Sequence, residues 1–197
     1  MRIKVQLAAL AAGVLLVGGS ATAQFANESG QALSGGPEDI TASVIASNEI
    51  ASGVGTLQIR INHWSTDEDR TRLLTSLRES GPEALLKALQ KMPSVGTIRT
   101  PSSVGYDLRY ARQTKVGDGR RIVIATDRPM DYWEASNQPR SVQYPFTVLQ
   151  MQVDQSGKGT GTMSLAMKIT ANDDLVILED IASAPFRLTN VQAKAHK

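Results

Sequence analysis

The sequence predicts an α+β domain: a mainly antiparallel curved sheet or open barrel of about 7-8 strands, with a helical hairpin inserted after the first strand. Three observations carry this expectation. One alternating segment, Leu57, Ile59 and Ile61, stands before two leucine stripes of helical spacing. After Pro93 the chain reads almost wholly as short strands separated by Gly, Asn and Asp turns. Several of those strands carry one apolar face, and antiparallel strands in such a run close or fold over to hide their edges.

The chain opens with Arg2 and Lys4, an apolar run from Leu7 to Gly19, and the small-any-small triplet Ala21-Thr22-Ala23. This is the pattern of a secretory signal peptide over 1–23, with cleavage between Ala23 and Gln24 and export to the periplasm or medium. The run is shorter than the roughly 20 residues that span a bilayer, so no stable membrane insertion is expected after cleavage. Residues 24–53, rich in Ala, Ser and Gly, read as a flexible leader, within which Pro37-Glu38-Asp39 opens a short helix bearing Ile40 and Val44.

Residues 54–192 read as one α+β domain. The strand through Ile61 ends at His63-Trp64, and Ser65-Thr66-Asp67-Glu68 forms a capping box from Ser65 to Glu68. Leu73, Leu74 and Leu77 stripe a first helix, and Ser80-Gly81-Pro82-Glu83 stops it and starts a second. Leu85, Leu86, Leu89 and Met92 stripe the second helix until Pro93. Tyr106, Leu108 and Tyr110 alternate next, Gly117-Asp118-Gly119 turns the chain, and residues 121–127 return. After a long loop, residues 142–153 alternate again, Gln155-Ser156-Gly157 turns, and Met163, Leu165, Met167 and Ile169 form one apolar face suited to covering the helical leucines. Leu175 to Leu178 is apolar on both faces, Phe186 and Leu188 mark a last strand, and 193–197 reads as a polar tail.

Removing 23 of 197 residues leaves 174, enough for one domain with a real core. The formal net charge of +2 belongs to Arg2 and Lys4, so the exported part carries 19 basic and 19 acidic residues. A neutral surface argues against nucleic acid as a partner. There is no cysteine, so disulfides, thiol catalysis, thiolate metal sites and lipidation of a cysteine are excluded. Two histidines exclude a His-rich metal site, and neither cofactor nor metal is expected. Asn27-Glu28-Ser29 fits a glycosylation sequon.

The order strand, two helices, meander is similar to the opening of the START/Bet v1 helix-grip fold, whose curved sheet holds apolar ligands. That fold closes with a long C-terminal helix, whereas this chain ends in strand. The strand number resembles a lipocalin-type barrel, from which the helices after the first strand depart. The stretch from Gly55 to Val191, with MPSVGTIRTP, YDLRYARQT, ATDRP and Trp133-Glu134, resembles an uncharacterised family of exported bacterial proteins. That resemblance implies an exported single domain and no particular chemistry.

The densest group of chemically able side chains lies between Asp127 and Arg140. Tyr132, Trp133 and Tyr144 can floor a pocket there, and Arg128 and Arg140 can hold an anion or carboxylate. Against this stands the reading that Arg–Asp pairs brace a long loop and that tryptophan plugs a barrel end. Catalytic candidates are Asp131 and Glu134 as a carboxylate pair, or His63 as a general base. No G-x-S-x-G elbow is present, and Gly157-Lys158-Gly159-Thr160-Gly161 is a hairpin turn rather than a phosphate loop. The expected function is binding of a small apolar or amphipathic ligand or a partner's segment. A structural or assembly role in the cell envelope and a small carboxylate-dependent hydrolase are the alternatives.

Overall fold

A computed structural model describes residues 22–24, 31–47, 52–101, 104–128, 145–172, 175–180 and 184–196. Residues 1–21 of the signal peptide expected over 1–23, and the Asn27 sequon, lie outside them. The elements are β1 (Thr22–Gln24), β2 (Glu38–Ser47), β3 (Ser52–Ile61), α1 (Asp67–Lys91), β4 (Gly96–Arg99), β5 (Tyr106–Leu108), β6 (Tyr110–Val116), β7 (Gly119–Ala125), β8 (Phe146–Val153), β9 (Lys158–Asn172), β10 (Leu175–Asp180) and β11 (Phe186–Ala195).

Among the described residues the sheet is antiparallel throughout, with nine of its eleven strands in the order β5-β4-β3-β2-β11-β9-β8-β7-β6 and β10 and β1 branching from β9. Its first and last members, β5 and β6, are neighbours in the chain, parted only at Arg109. The sheet therefore curls back on itself as a nearly closed barrel. The free edge of β6 is sealed by other backbone: Ser65 N–H donates to Ala111 O at 2.7 Å, and Leu33 N–H to Gln113 O at 2.9 Å. The α+β, curved-sheet expectation holds, with more strands than expected and the helical element after β3 rather than after the first strand.

That displacement comes from β2. Residues 38–47 are neither leader nor helix, because Ile40 and Ala42 point inward, flanked by Thr41 and Ser43, and Ile40 is fully buried. Thr41, Val44 and Ile45 add β-branched bulk that suits a strand. The strand pairs β3 over its whole length and β11 on its other edge. The polar tail is likewise strand: β11 runs to Ala195, and Ala193 is buried. Asn190, at φ 50°, makes the bulge that allows this. Inward residues are Phe186 and Leu188 before it, and Val191 and Ala193 after it.

The helical hairpin proves to be one kinked element. Gly81 leaves helical geometry at φ 77° and ψ −171° just before Pro82, and leucines from both sides of the kink join one apolar cluster. Its cap is Thr66 rather than Ser65. Thr66 Oγ1 accepts from Asp69 N–H at 3.2 Å, and the Asp69 carboxylate accepts from Thr66 N–H at 3.0 Å. Ser65 is buried instead, its hydroxyl accepting from Ala111 N–H at 3.1 Å.

Two apolar layers result. Ile40, Leu57, Ile59, Ile61, Ile98, Leu108, Ile122, Ile124, Leu149, Met151, Met163, Leu165 and Leu188 belong to the cluster that fills the barrel. Outside the barrel, Leu73, Leu77, Leu85, Leu89 and Met92 of the helical side pack on Phe146, Val148 and Met167. The expected single face of β9 is thus divided. A bulge, with Phe146 opposite Met167 and Val148 opposite Ser164, sends Met163 and Leu165 inward and Met167 and Ile169 under the helix.

Candidate functional site

The barrel has two ends. At one lie the β6–β7 turn, the β8–β9 turn, the start of β2 and the end of β11. At the other, which we call the mouth, lie the ends of β5 and β7 and the start of β8, where residues 129–144 connect.

The first end is closed by a polar network. Arg120 makes two bonds to the Glu38 carboxylate, at 2.8 and 2.7 Å, and a third to the Gln113 side chain. Its guanidinium lies 5.9 Å from the centre of the Trp64 ring, and Trp64 Nε1–H donates to Gly36 O at 3.1 Å. Trp64 is buried, and Gly35 lies so close that a Cβ there would sit 2.6 Å from Gln113 Nε2 and 3.1 Å from Trp64 Nε1. Residues 31–36 thus cross this end as a strap. Ala32 N–H reaches the Asp67 carboxylate at 3.3 Å, and buried Arg112 donates to the same carboxylate at 2.7 Å. The Arg112 bond, then the Ala32 N–H, hold the Asp67 carboxyl below its usual range. The plugging tryptophan of this fold's closed end is therefore Trp64.

An open recess of about 420 Å³ lies on this rim, lined by Leu33, Lys115, Arg120, Asp154 and Ser156 among others. Its polar groups serve the turn. Asp154 Oδ1 accepts from Ser156 N–H, the Ser156 hydroxyl and Lys158 N–H at 2.8, 2.7 and 3.0 Å. The Ser156 hydroxyl, then the Lys158 N–H, lower the Asp154 pKa. Gly159 and Gly161 follow as strand residues, where a Cβ would come within 1.9 Å of Gln152 O and 2.3 Å of Gln150 O. This glycine spacing serves close strand approach, in keeping with the expected turn.

At the mouth, Arg109 Nε donates to Asp127 Oδ2 at 3.1 Å, and Arg109 also reaches Met92 O at 3.2 Å and Asp107 at 3.7 Å. Arg109 and Asp127 thus pair across two strand ends. Thr126 and Thr147 are buried and stitch β7 to β8 beyond their regular pairing: Thr126 N–H donates to Thr147 O at 3.0 Å, and Thr147 N–H to Thr126 Oγ1 at 3.2 Å. Thr126 Oγ1 in turn donates to Arg128 O at 2.5 Å. The Arg128 backbone is thereby fixed, while its exposed guanidinium lies 5.1 Å from the centre of the Tyr106 ring. Of the expected ligand-binding residues, Arg128 is described; Tyr132, Trp133, Arg140 and Tyr144 lie outside the described residues, as do the catalytic candidates Asp131 and Glu134.

His63 stands exposed beyond β3, with its backbone N–H on Val95 O at 3.4 Å. Among the described residues nothing approaches its ring that would make it a base in a triad. The other histidine is better placed. His196 Nδ1 lies 2.7 Å from Asp39 Oδ2, Arg60 holds the other Asp39 oxygen at 3.0 Å, and His196 N–H donates to Pro37 O at 2.9 Å. The His196 bond, then the Arg60 bond, lower the Asp39 pKa. This cluster ties the end of β11 to the start of β2. Among the described residues, no group of three or more His, Cys, Asp or Glu is arranged to hold a metal ion, and no helix is long and apolar enough to cross a membrane.

No protein-family model, curated protein or solved structure matches this chain.

Proposed function

We propose that this chain is an exported binding module whose ligand, a small amphipathic molecule with an anionic head, is held at the mouth of the barrel. The observation that carries the reading is the contrast between the barrel's filled interior and the mouth. The interior holds fully buried Ile, Leu and Met side chains, so a ligand has its place outside that layer. At the mouth an exposed arginine lies over an aromatic ring on a backbone pinned by two threonines. A guanidinium suits a carboxylate or phosphate head, and aromatic rings suit the apolar body. Tyr132, Trp133, Arg140 and Tyr144, in the segment that leaves this mouth, supply more of both chemistries.

The test is a titration of the exported protein with dodecanoate, followed by tryptophan fluorescence. A saturable change is expected, lost in Trp133→Phe and weakened at least tenfold in Arg128→Gln. A flat titration, or one unchanged in Arg128→Gln, overturns the reading.

A further inference from the structure

β10 is the strand the barrel does not need. It lies off the nine-strand path, paired on one side with residues 167–172 of β9 and on the other with β1. β1 is three residues long and covers only Ile177, Leu178 and Glu179. The expected cleavage between Ala23 and Gln24 removes two of those three, Thr22 and Ala23. In the exported chain the outer edge of Leu175–Asp180 would then keep a single residue of cover.

Such an edge is a template for another strand. Its sequence, Leu-Val-Ile-Leu-Glu-Asp, starts with four aliphatic residues and holds no proline or lysine, the residues that commonly guard a free edge. β1 already shows the polarity the edge accepts, which is antiparallel.

We propose that the outer edge of β10 is an interface for a second copy of this chain, which adds its own β10 antiparallel across a two-fold axis. The symmetric register that centres the axis between Ile177 and Leu178 sets Ile177 opposite the second copy's Leu178. It sets Val176 opposite Glu179 and Leu175 opposite Asp180, so no acid faces an acid. Three of these places, Ile177, Leu178 and Glu179, are those that β1 takes in this structure. The pairing is isologous and closes at two copies, because the same edge serves both partners across the axis. It joins two barrels through a continuous sheet and leaves the mouth at Arg128 untouched, so it stands independently of the ligand reading.

The experiment uses the exported protein, its N-terminus read by intact mass, in sedimentation over a dilution series. A concentration-dependent dimer is expected, and Ile177→Lys and Leu178→Lys each shift it to monomer. A second measurement does not depend on those variants folding well. The chain has no cysteine, so Ile177→Cys with Leu178→Cys introduces the only thiols. Residues directly opposite in an antiparallel pair are close enough for a disulfide. Mild oxidation should give a covalent dimer, while Val54→Cys, at an exposed position of β3, stays monomeric. A monomer at every concentration overturns the proposal. So does a dimer that survives both lysine variants, or cross-linking no faster at 177/178 than at Val54. A monomer whose β10 amides resist exchange means another strand covers the edge, and it also overturns the second copy as occupant.

Discussion

The two ends of the barrel use the same residue types to opposite effect. At the closed end, Arg120, Glu38, Gln113 and Trp64 satisfy one another, and the strap 31–36 presses over them. At the mouth, Arg109 and Asp127 form the brace, and Arg128, one residue on, keeps its guanidinium in solvent over Tyr106. An arginine over an aromatic ring thus says little by itself about binding. What separates the ends is burial: the Arg120 network is part-buried, whereas Arg128 is fixed at its backbone and exposed at its side chain.

The comparison predicts large stability effects at one end and small ones at the other. Trp64→Ala should cost about 4 kcal/mol in urea unfolding, as buried tryptophan truncations do. Arg120→Ala leaves the Glu38 carboxylate part-buried without its cation and should cost about 2 kcal/mol. A loss below about 0.5 kcal/mol in either would break the claim that this end is structural. Thr66→Ala removes the helix cap and should cost about 1 kcal/mol, read by the same method, with Thr66→Ser largely restoring it. Arg128→Ala should change stability by less than about 0.5 kcal/mol while removing the dodecanoate response.

Acid sharpens the same contrast. Asp67, Asp154 and Asp39 all have lowered pKa values in the fold, so the unfolded chain binds their protons first as pH drops. Their contribution is present at neutral pH and is lost as pH falls from about 4 through the lowered folded values. Asp67→Asn should flatten that acid limb and loosen the strap, seen as faster amide exchange at Ala32 and Leu33. An acid limb identical to wild type would remove Asp67 from the strap's anchor.

Much of the sheet was legible, for a physical reason. The second half of β3, the second half of β8 and the first part of β11 alternate large apolar with polar residues, which gives a strong period-2 signal. β2 was hidden because its contrast is low: Ala42 faces inward and small Thr41 and Ser43 flank it, amid Gly- and Ser-rich neighbours. The end of β11 was hidden because Asn190 changes the parity of the inward residues. The helix cap shifted by one residue because the Ser65 hydroxyl is taken by Ala111 N–H, a strand partner 46 residues away. The closed-end network escaped for the same reason, since Glu38 and Arg120 are 82 residues apart and nothing local marks either. Of the mouth, the sequence marked Arg128 and the need for a brace, while the brace's partners, Arg109 and Asp127, come from different strand ends.

Hydrogen exchange of the exported protein with and without dodecanoate tests the central contrast most directly. The account predicts added protection at residues 126–128 and 145–147, with residues 113–120 and 153–158 unchanged. Protection confined to the closed end, or spread evenly over both ends, would contradict it.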